Sequence, residues 1–349
     1  MSSTRKVARR RPTSGHQAGG FALVIVLWVL AGLTVVAVSV ATTASNNALS
    51  VKLLRDRASA ERAFLSTSAR VAVIAATGVS KRSYLDSERG RLFADGRMTQ
   101  VSNHESVYIQ DANGLLNFNR PDVPRLLATL RHCGAGESQA PALADAMADY
   151  VDTDSLKRLN GAEAFDYRGI GLQEPRNAPL LSREEMWRVA GFPALRASWR
   201  GAGCDALITV RGEGFFNRNT APLELLVADG MTETTARALI DSRQDGLPSL
   251  EIQSRGNDPS NPFNLVAGGY VGNVLRIRHQ MDSVEWSSEY ELELTPSRNG
   301  GPWRILELRN PPRLVQAMKV GAFLPAVDFR IPERDRPNLN APSRPPFAN

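Results

Sequence analysis

The segment from Asp152 to Asp166 concentrates the side chains best suited to chemistry in this 349-residue chain. Asp152, Asp154, Glu163 and Asp166 put four carboxylates on one loop, together with Asn160 and Gly161. Hard oxygen donors of this kind suit Ca²⁺, which takes about six to eight oxygens in flexible geometry. The spacing and the position of the last Glu are not those of an EF-hand. A hydrated loop whose aspartates cap helices uses the same residues, and both readings stay open at this point. Cys133 and Cys204 are the two cysteines. In an oxidising compartment they can pair, but no spacing argument separates a disulfide from two buried thiols. His16, His104, His132 and His279 are scattered, without a Ser/His/Asp or Cys/His set, a Gly-rich phosphate loop or a zinc spacing. The run VADGMTETTARALIDSR is similar to half of a helix-hairpin-helix. Those hairpins hold phosphate on backbone amides, whereas this one has Gly230 between the acids Asp229 and Glu233. Neither catalysis nor nucleic-acid binding finds support.

The elements that must position these residues begin with the N-terminus. Twenty residues carry Arg5, Lys6, Arg9, Arg10 and Arg11 and no acid, and end at Gly20. From Phe21 to Ser45 no charge occurs, which exceeds the ~20 residues that cross a hydrocarbon core as a helix. The basic leader predicts a cytoplasmic N-terminus, with everything after about Asn46 across the membrane. A leader ending in Gly on the cytoplasmic side of the apolar run resembles that of a type IV prepilin. A secretory signal peptide is cut beyond its apolar run; an uncut signal anchor, or such a peptide cut near Ser45, is the competing reading. The formal charge of +6 belongs to the leader, which holds five of the 42 basic residues and leaves 37 against 36 acidic ones. A basic binding surface is therefore not implied.

The helix is expected to continue past the membrane, because residues 46–77 contain neither Pro nor Gly. Leu53, Ala60, Phe64 and Val71 share one face of it. After Gly78, HESVYIQDANGLLNFN reads as a hairpin turning at Asn113-Gly114. Helical runs follow from Pro121, from Pro141 and from Ser182, whose Glu185 has capping-box spacing. A strand ALITVRG comes next, then helices for which Thr220 and Thr232 offer caps. NVLRIRHQMD, SSEYELELTPS and WRILELRN alternate as three antiparallel strands. The Pro- and Asn-rich residues 324–349 read as disordered. Asn117-Phe118-Asn119 and Asn217-Arg218-Asn219 each precede a helix and offer side chains to its first turn.

The fold expected is α+β: a pilin-like long N-terminal helix on a small antiparallel sheet, with a large, mostly helical inserted domain. The boundaries are 1–20 leader, 21–45 membrane span, 46–119 periplasmic half-helix and first hairpin, 120–257 inserted helical domain, 258–323 C-terminal strands and 324–349 tail.

GGFALVIVLWVLAGLT, GLLNFN, LADAMADYVDTD with NGAE, NAPLLSREEMWRVAGF and FFNRNTAPLELLVADGMTETTARALIDSR occur in this order. Together they resemble the minor pseudopilin K family of type II secretion systems. The resemblance implies a structural, non-enzymatic subunit of the bacterial inner membrane, single-pass, with its bulk in the periplasm. It implies cleavage by the prepilin peptidase after Gly20 and methylation of the new amine of Phe21. It further implies partners among minor pseudopilins I and J, other pseudopilins and the inner-membrane secretion platform, in the export of folded proteins across the outer membrane. Calcium binding in the helical domain is also implied, with Asp152, Asp154, Glu163 and Asp166 as ligands, although Ala164 stands where the family pattern continues with another acid. Ile25 occupies the fifth mature position, where most pilins have Glu. A carboxylate in lipid is costly unless paired, so Ile25 suits a subunit that starts and caps the filament with nothing ahead of it. A minor pilin of a type IV pilus or competence system, or a signal-anchored periplasmic protein, is the alternative.

Overall fold

The computed structural model describes residues 19–243, 269–284, 287–295, 301–311 and 320–323. The leader up to residue 18, the end of the expected inserted domain at 244–257 and the tail from 324 lie outside them. The chain divides into two units, residues 1–59 and 60–349. Helix α1, Gly19–Thr77, contributes to both.

In the first unit every side chain described except the half-buried Asp56 is exposed, Trp28 at 76% and Leu54 at 67% among them. By length and composition α1 can cross a membrane. Nothing in the sequence from Gly19 to Thr77 breaks it, since Gly32 is its sole glycine beyond the start and no proline occurs.

In the second unit the last turns of α1 bury Ala60, Thr67, Val71, Ala72, Ile74 and Ala75. Their partner is a six-stranded sheet of order β10-β9-β8-β5-β4-β11. These strands are β4 Asp95–Ser102, β5 Glu105–Asp111, β8 Val274–Met281, β9 Ser287–Leu294, β10 Trp303–Arg309 and β11 Val320–Phe323. All neighbours are antiparallel except β11 against β4. The period of two along each strand gives the sheet two distinct faces. Val107, Ile109, Leu275, Ile277, Tyr290 and Leu292 share one with α1. Phe64 packs edge-on to Tyr290 and against the ring of His279. Beneath them Glu105 accepts from Thr67 and lies 2.8 Å from His279 Nε2. Of the four residues expected on one helical face, Ala60, Phe64 and Val71 join this unit and Leu53 is exposed in the first. A small sheet of β1 Val79–Ser80, β2 Tyr84–Ser87 and β3 Gly90–Phe93 follows α1 directly.

The expected hairpin at Asn113-Gly114 does not form. Strand β5 pairs with β4 and β8, and Ala112–Gly114 is a 3₁₀ turn with neither Asn113 nor Gly114 at positive φ, which a type I′ hairpin requires. Gly114 serves close packing, because a Cβ there would stand 2.5 Å from Thr220 Oγ1. The chain instead enters a helical block and returns to the sheet at β8. Within the block β6, Leu116–Asn117, pairs in parallel with β7, Ile208–Thr209. Helices α2 Val123–His132, α3 Gln139–Val151, α4 Ala164–Gly169, α5 Arg196–Gly201, α6 Leu223–Ala228 and α7 Glu233–Ser242 surround a separate core that includes Phe118, Phe192 and Trp199. Cys133 and Cys204, both fully buried, are joined as a disulfide.

Caps differ from expectation where a longer-range partner competes. Thr232 does cap α7 by accepting from Thr235 N. Thr220 donates to the buried Asp111 instead of capping α6. Ser182 makes no capping bond, the run from Arg183 to Arg188 is 3₁₀, and Glu185 accepts from Arg176, Tyr150 and Leu181 N. The two Asn-x-Asn motifs form matched turns in which Asn117 and Asn217 accept from the backbone N–H two residues on. Their remaining groups tie distant segments: Asn119 to Leu180 and Val210, Asn217 to Arg82, Tyr270 and Asp111.

Candidate metal centre

Helix α3 ends at Val151 and delivers Asp152 as its C-cap; the loop then runs to Glu163, the N-cap of α4. This path brings ligand atoms of Asp152, Asp154 and Glu163 within 4.8 Å of one another. Asp154 is held by its own backbone and Asp152 by a cation at the rim. Asp154 Oδ1 accepts from Leu156 N at 2.8 Å, closing a turn. Asp152 Oδ2 accepts from Arg158 Nη1 at 2.6 Å, and the same guanidinium reaches the fully buried Asp149. Gly161 is demanded by Asp149, since a Cβ there would stand 1.8 Å from its Oδ2.

Asp166 is placed apart from these three. Its Oδ2 accepts from Glu163 N at 3.0 Å and its Oδ1 from Lys157 Nζ at 2.7 Å. The Lys157 bond, then the Glu163 N–H, holds the Asp166 carboxyl below its ordinary range. Its role is to start α4 and fix Glu163, which is the capping half of the two sequence readings.

Glu163 is 7% exposed, and neither carboxyl oxygen has a hydrogen-bond partner among the described residues. Asp152 Oδ1 and Asn177 Oδ1 are likewise buried and unpartnered. Burial, followed by the negative charges of Asp149, Asp152 and Asp154, raises the Glu163 carboxyl above its ordinary value. A buried acid with bare oxygens among other acids is costly without a counter-charge. The donor atoms are all oxygens, which suits a hard cation such as Ca²⁺ and not Zn²⁺. The residues present therefore fit a calcium ion.

Asn177 was not legible as part of this site. It lies 14 residues beyond Glu163 and its Nδ2 donates to Asp154 O at 2.5 Å. Among the described residues it is the one non-glycine at positive φ, 48°, a conformation Asn tolerates better than most. That strain aims its amide at the loop. The sequence signal was its place just before Ala178-Pro179, within a stretch read only as a family motif.

At the N-terminus, α1 already includes Gly20, and Phe21 and Ile25 are exposed on it at 76% and 48%.

Residues 107–197 match the family model described as type II secretion system (T2SS), protein K. That span contains most of β5, the acidic loop and Asn177. The fold is similar to a chain from the crystal structure of the GspK-GspI-GspJ complex of the enterotoxigenic Escherichia coli type 2 secretion system. The TM-score is 0.50 at 16% identity, covering 75% of this chain and 96% of that one. A comparison with curated proteins by sequence finds no match. The structural likeness is one of fold, α+β with a long N-terminal helix; the likeness to the family lies in the matched domain. Residues 107–197 of this chain are thus similar to the first domain of type II secretion system protein K.

Proposed function

We propose that the chain is a structural minor pseudopilin of a type II secretion system, without enzymatic activity. The carrying observation is the family's first domain, residues 107–197. It stands within a fold whose N-terminal helix is uncharged from Phe21 to Val51. In this reading the prepilin peptidase cuts after Gly20 and Phe21 becomes the mature, methylated N-terminus. The helix anchors the subunit in the inner membrane with its bulk in the periplasm. Ile25 in place of the usual Glu favours the filament tip, where assembly begins with minor pseudopilins I and J. The E. coli GspK-GspI-GspJ complex supports that choice of partners by fold analogy. Asp152, Asp154, Glu163 and Asn177 hold Ca²⁺ in the helical block, and Asp166 positions Glu163. Mass measurement of the membrane-extracted protein tests the central claim. A methylated Phe21 N-terminus is expected, with the uncut chain in Gly20→Val and in cells lacking the peptidase. The same N-terminus in either background overturns the proposal.

A further inference from the structure

The buried apolar residues of the second unit form two separate clusters. One lies wholly within residues 115–239 and the other joins α1 to the sheet. Between them lies a layer of charge. The sheet face away from α1 carries Arg276 and Arg278 on β8 and Glu289 and Glu291 on β9. Arg276 pairs across the ladder with Glu291, and Arg278 with Glu289. The helical block reaches into this layer. Arg183, 3% exposed, pairs with Glu289, also buried, and gives Nη1 to Asp205 O at 3.0 Å. In return Arg276 gives Nη2 to Ile208 O at 2.5 Å. Arg211 approaches Glu291 at 3.8 Å, and Glu184 pairs with Arg309 of β10. Burial alone would raise the Glu289 carboxyl, yet Arg183, Arg276 and Arg278 bring it down to about 2.

A second junction lies at the neck. Asp111 is buried at the end of β5, with Oδ1 accepting from Asn113 N at 3.0 Å and Gly272 N at 3.2 Å. Its Oδ2 accepts from Asn217 Nδ2 and Thr220 Oγ1 of the block, both at 3.0 Å. Asn113 and Glu213 complete the neck through Glu213 N and Asn273 N.

We propose that the helical block is a body that pivots on the sheet at the Asp111 neck and is latched by the buried Arg183–Glu289 pair. Apolar cores weld elements together because separation exposes area that water disfavours. A polar layer offers less of that, and breaking one partner of a buried pair leaves a charge that seeks water. Each core is complete without the other, so opening the latch moves the block and leaves both folded. In a subunit of a filament end, such a joint lets the block take its bearing from a neighbour while the sheet keeps its own.

Spin labels at Glu137→Cys in the block and His104→Cys in the sheet, both strongly exposed, read the joint in the detergent-solubilised full chain. The unaltered latch gives a narrow distance distribution. Arg183→Met and, separately, the shape-preserving Glu289→Gln at least double its width. In both variants the amides of Met147 and Ile277, one in each core, keep slow hydrogen exchange. An unchanged width in both variants overturns the proposal. So does loss of protection at Met147 and Ile277 together, because the two cores then unfold as one.

Discussion

Asp111 carries a buried carboxyl that four donors surround and that no cation among the described residues neutralises, so replacing it with Asn turns burial into a measurable pH effect. Burial raises this carboxyl from 3.8 to about 6, against the opposing bonds from Asn217, Asn113, Thr220 and Gly272. The folded chain then binds more protons than the unfolded chain between about pH 4 and pH 6. Stability on this account is greatest below the unfolded value and falls as pH rises toward the folded one. The gap from 3.8 to about 6 is worth about 3 kcal/mol, at ~1.36 kcal/mol per pH unit. Asn cannot ionise, so Asp111→Asn removes that slope. Its amide does meet the Asn217 amide donor, which leaves a pH-independent cost of about 1–3 kcal/mol. Urea unfolding of the full chain at pH 4 and pH 7, with the detergent constant, separates the terms. The penalty of Asp111→Asn is expected to be smaller at pH 7 than at pH 4 by about 2.4 kcal/mol, because part of the effect is already spent at pH 4, just above the unfolded value. Equal penalties at the two pH values, within about 0.5 kcal/mol, refute the reasoning; the usual scatter of additivity is of that size.

Removal of calcium by a chelator is expected to lower the melting temperature. Saturation at 100 times Kd adds about 2.7 kcal/mol, which corresponds to roughly 5–10 °C in a unit of this size. Asp152→Ala combined with Asp154→Ala should abolish that shift in differential scanning calorimetry. In chelator, Glu163→Gln should melt no lower than the parent, since the raised carboxyl disfavours the folded state at neutral pH; a clear loss of stability counts against a cation role. Gly161→Ala should disturb the Asp149–Arg158 arrangement and weaken calcium binding in titration calorimetry, whereas unchanged affinity would show that this contact yields freely. Light scattering of the detergent-solubilised chain mixed with minor pseudopilins I and J should give a one-to-one-to-one complex and no homopolymer.

Much of the frame could be read because one pattern dominated each stretch. The helix to Thr77 follows from an uninterrupted run, and β8, β9 and β10 from alternation. That same alternation misleads about surroundings. Arg276, Arg278, Glu289 and Glu291 look like a solvated face, but the helical block covers them. Asn113-Gly114 has the dipeptide of a hairpin, but the adjoining Asp111 accepts from Gly272 N and Thr220 Oγ1, which come from far along the chain. Thr220 fails as a cap for the same reason, and Glu185, the other half of the expected capping box at Ser182, is taken up by Tyr150 and Arg176. At the candidate centre the acids were legible as chemistry and Asn177 was not, because its contribution depends on a backbone conformation and on a loop 23 residues earlier. Asp166 shows the reverse limit: a residue of ligand type takes the capping role once Lys157 is beside it.

The closeness of the two ends of the helical block has a consequence for what the sheet requires of its sequence. Asp111 and Leu275 face each other across adjacent strands, and the Asp111 carboxyl reaches Gly272 N. The sheet therefore sees the whole excursion between them as it would see an ordinary reversal between neighbouring strands, and closing so long a loop adds entropy that grows only as the logarithm of its length. The frame is indifferent to how much chain the excursion contains. Domains with neighbouring termini tolerate insertion and exchange, so this block can be lengthened, shortened or traded among related subunits while the anchor and sheet stay as they are.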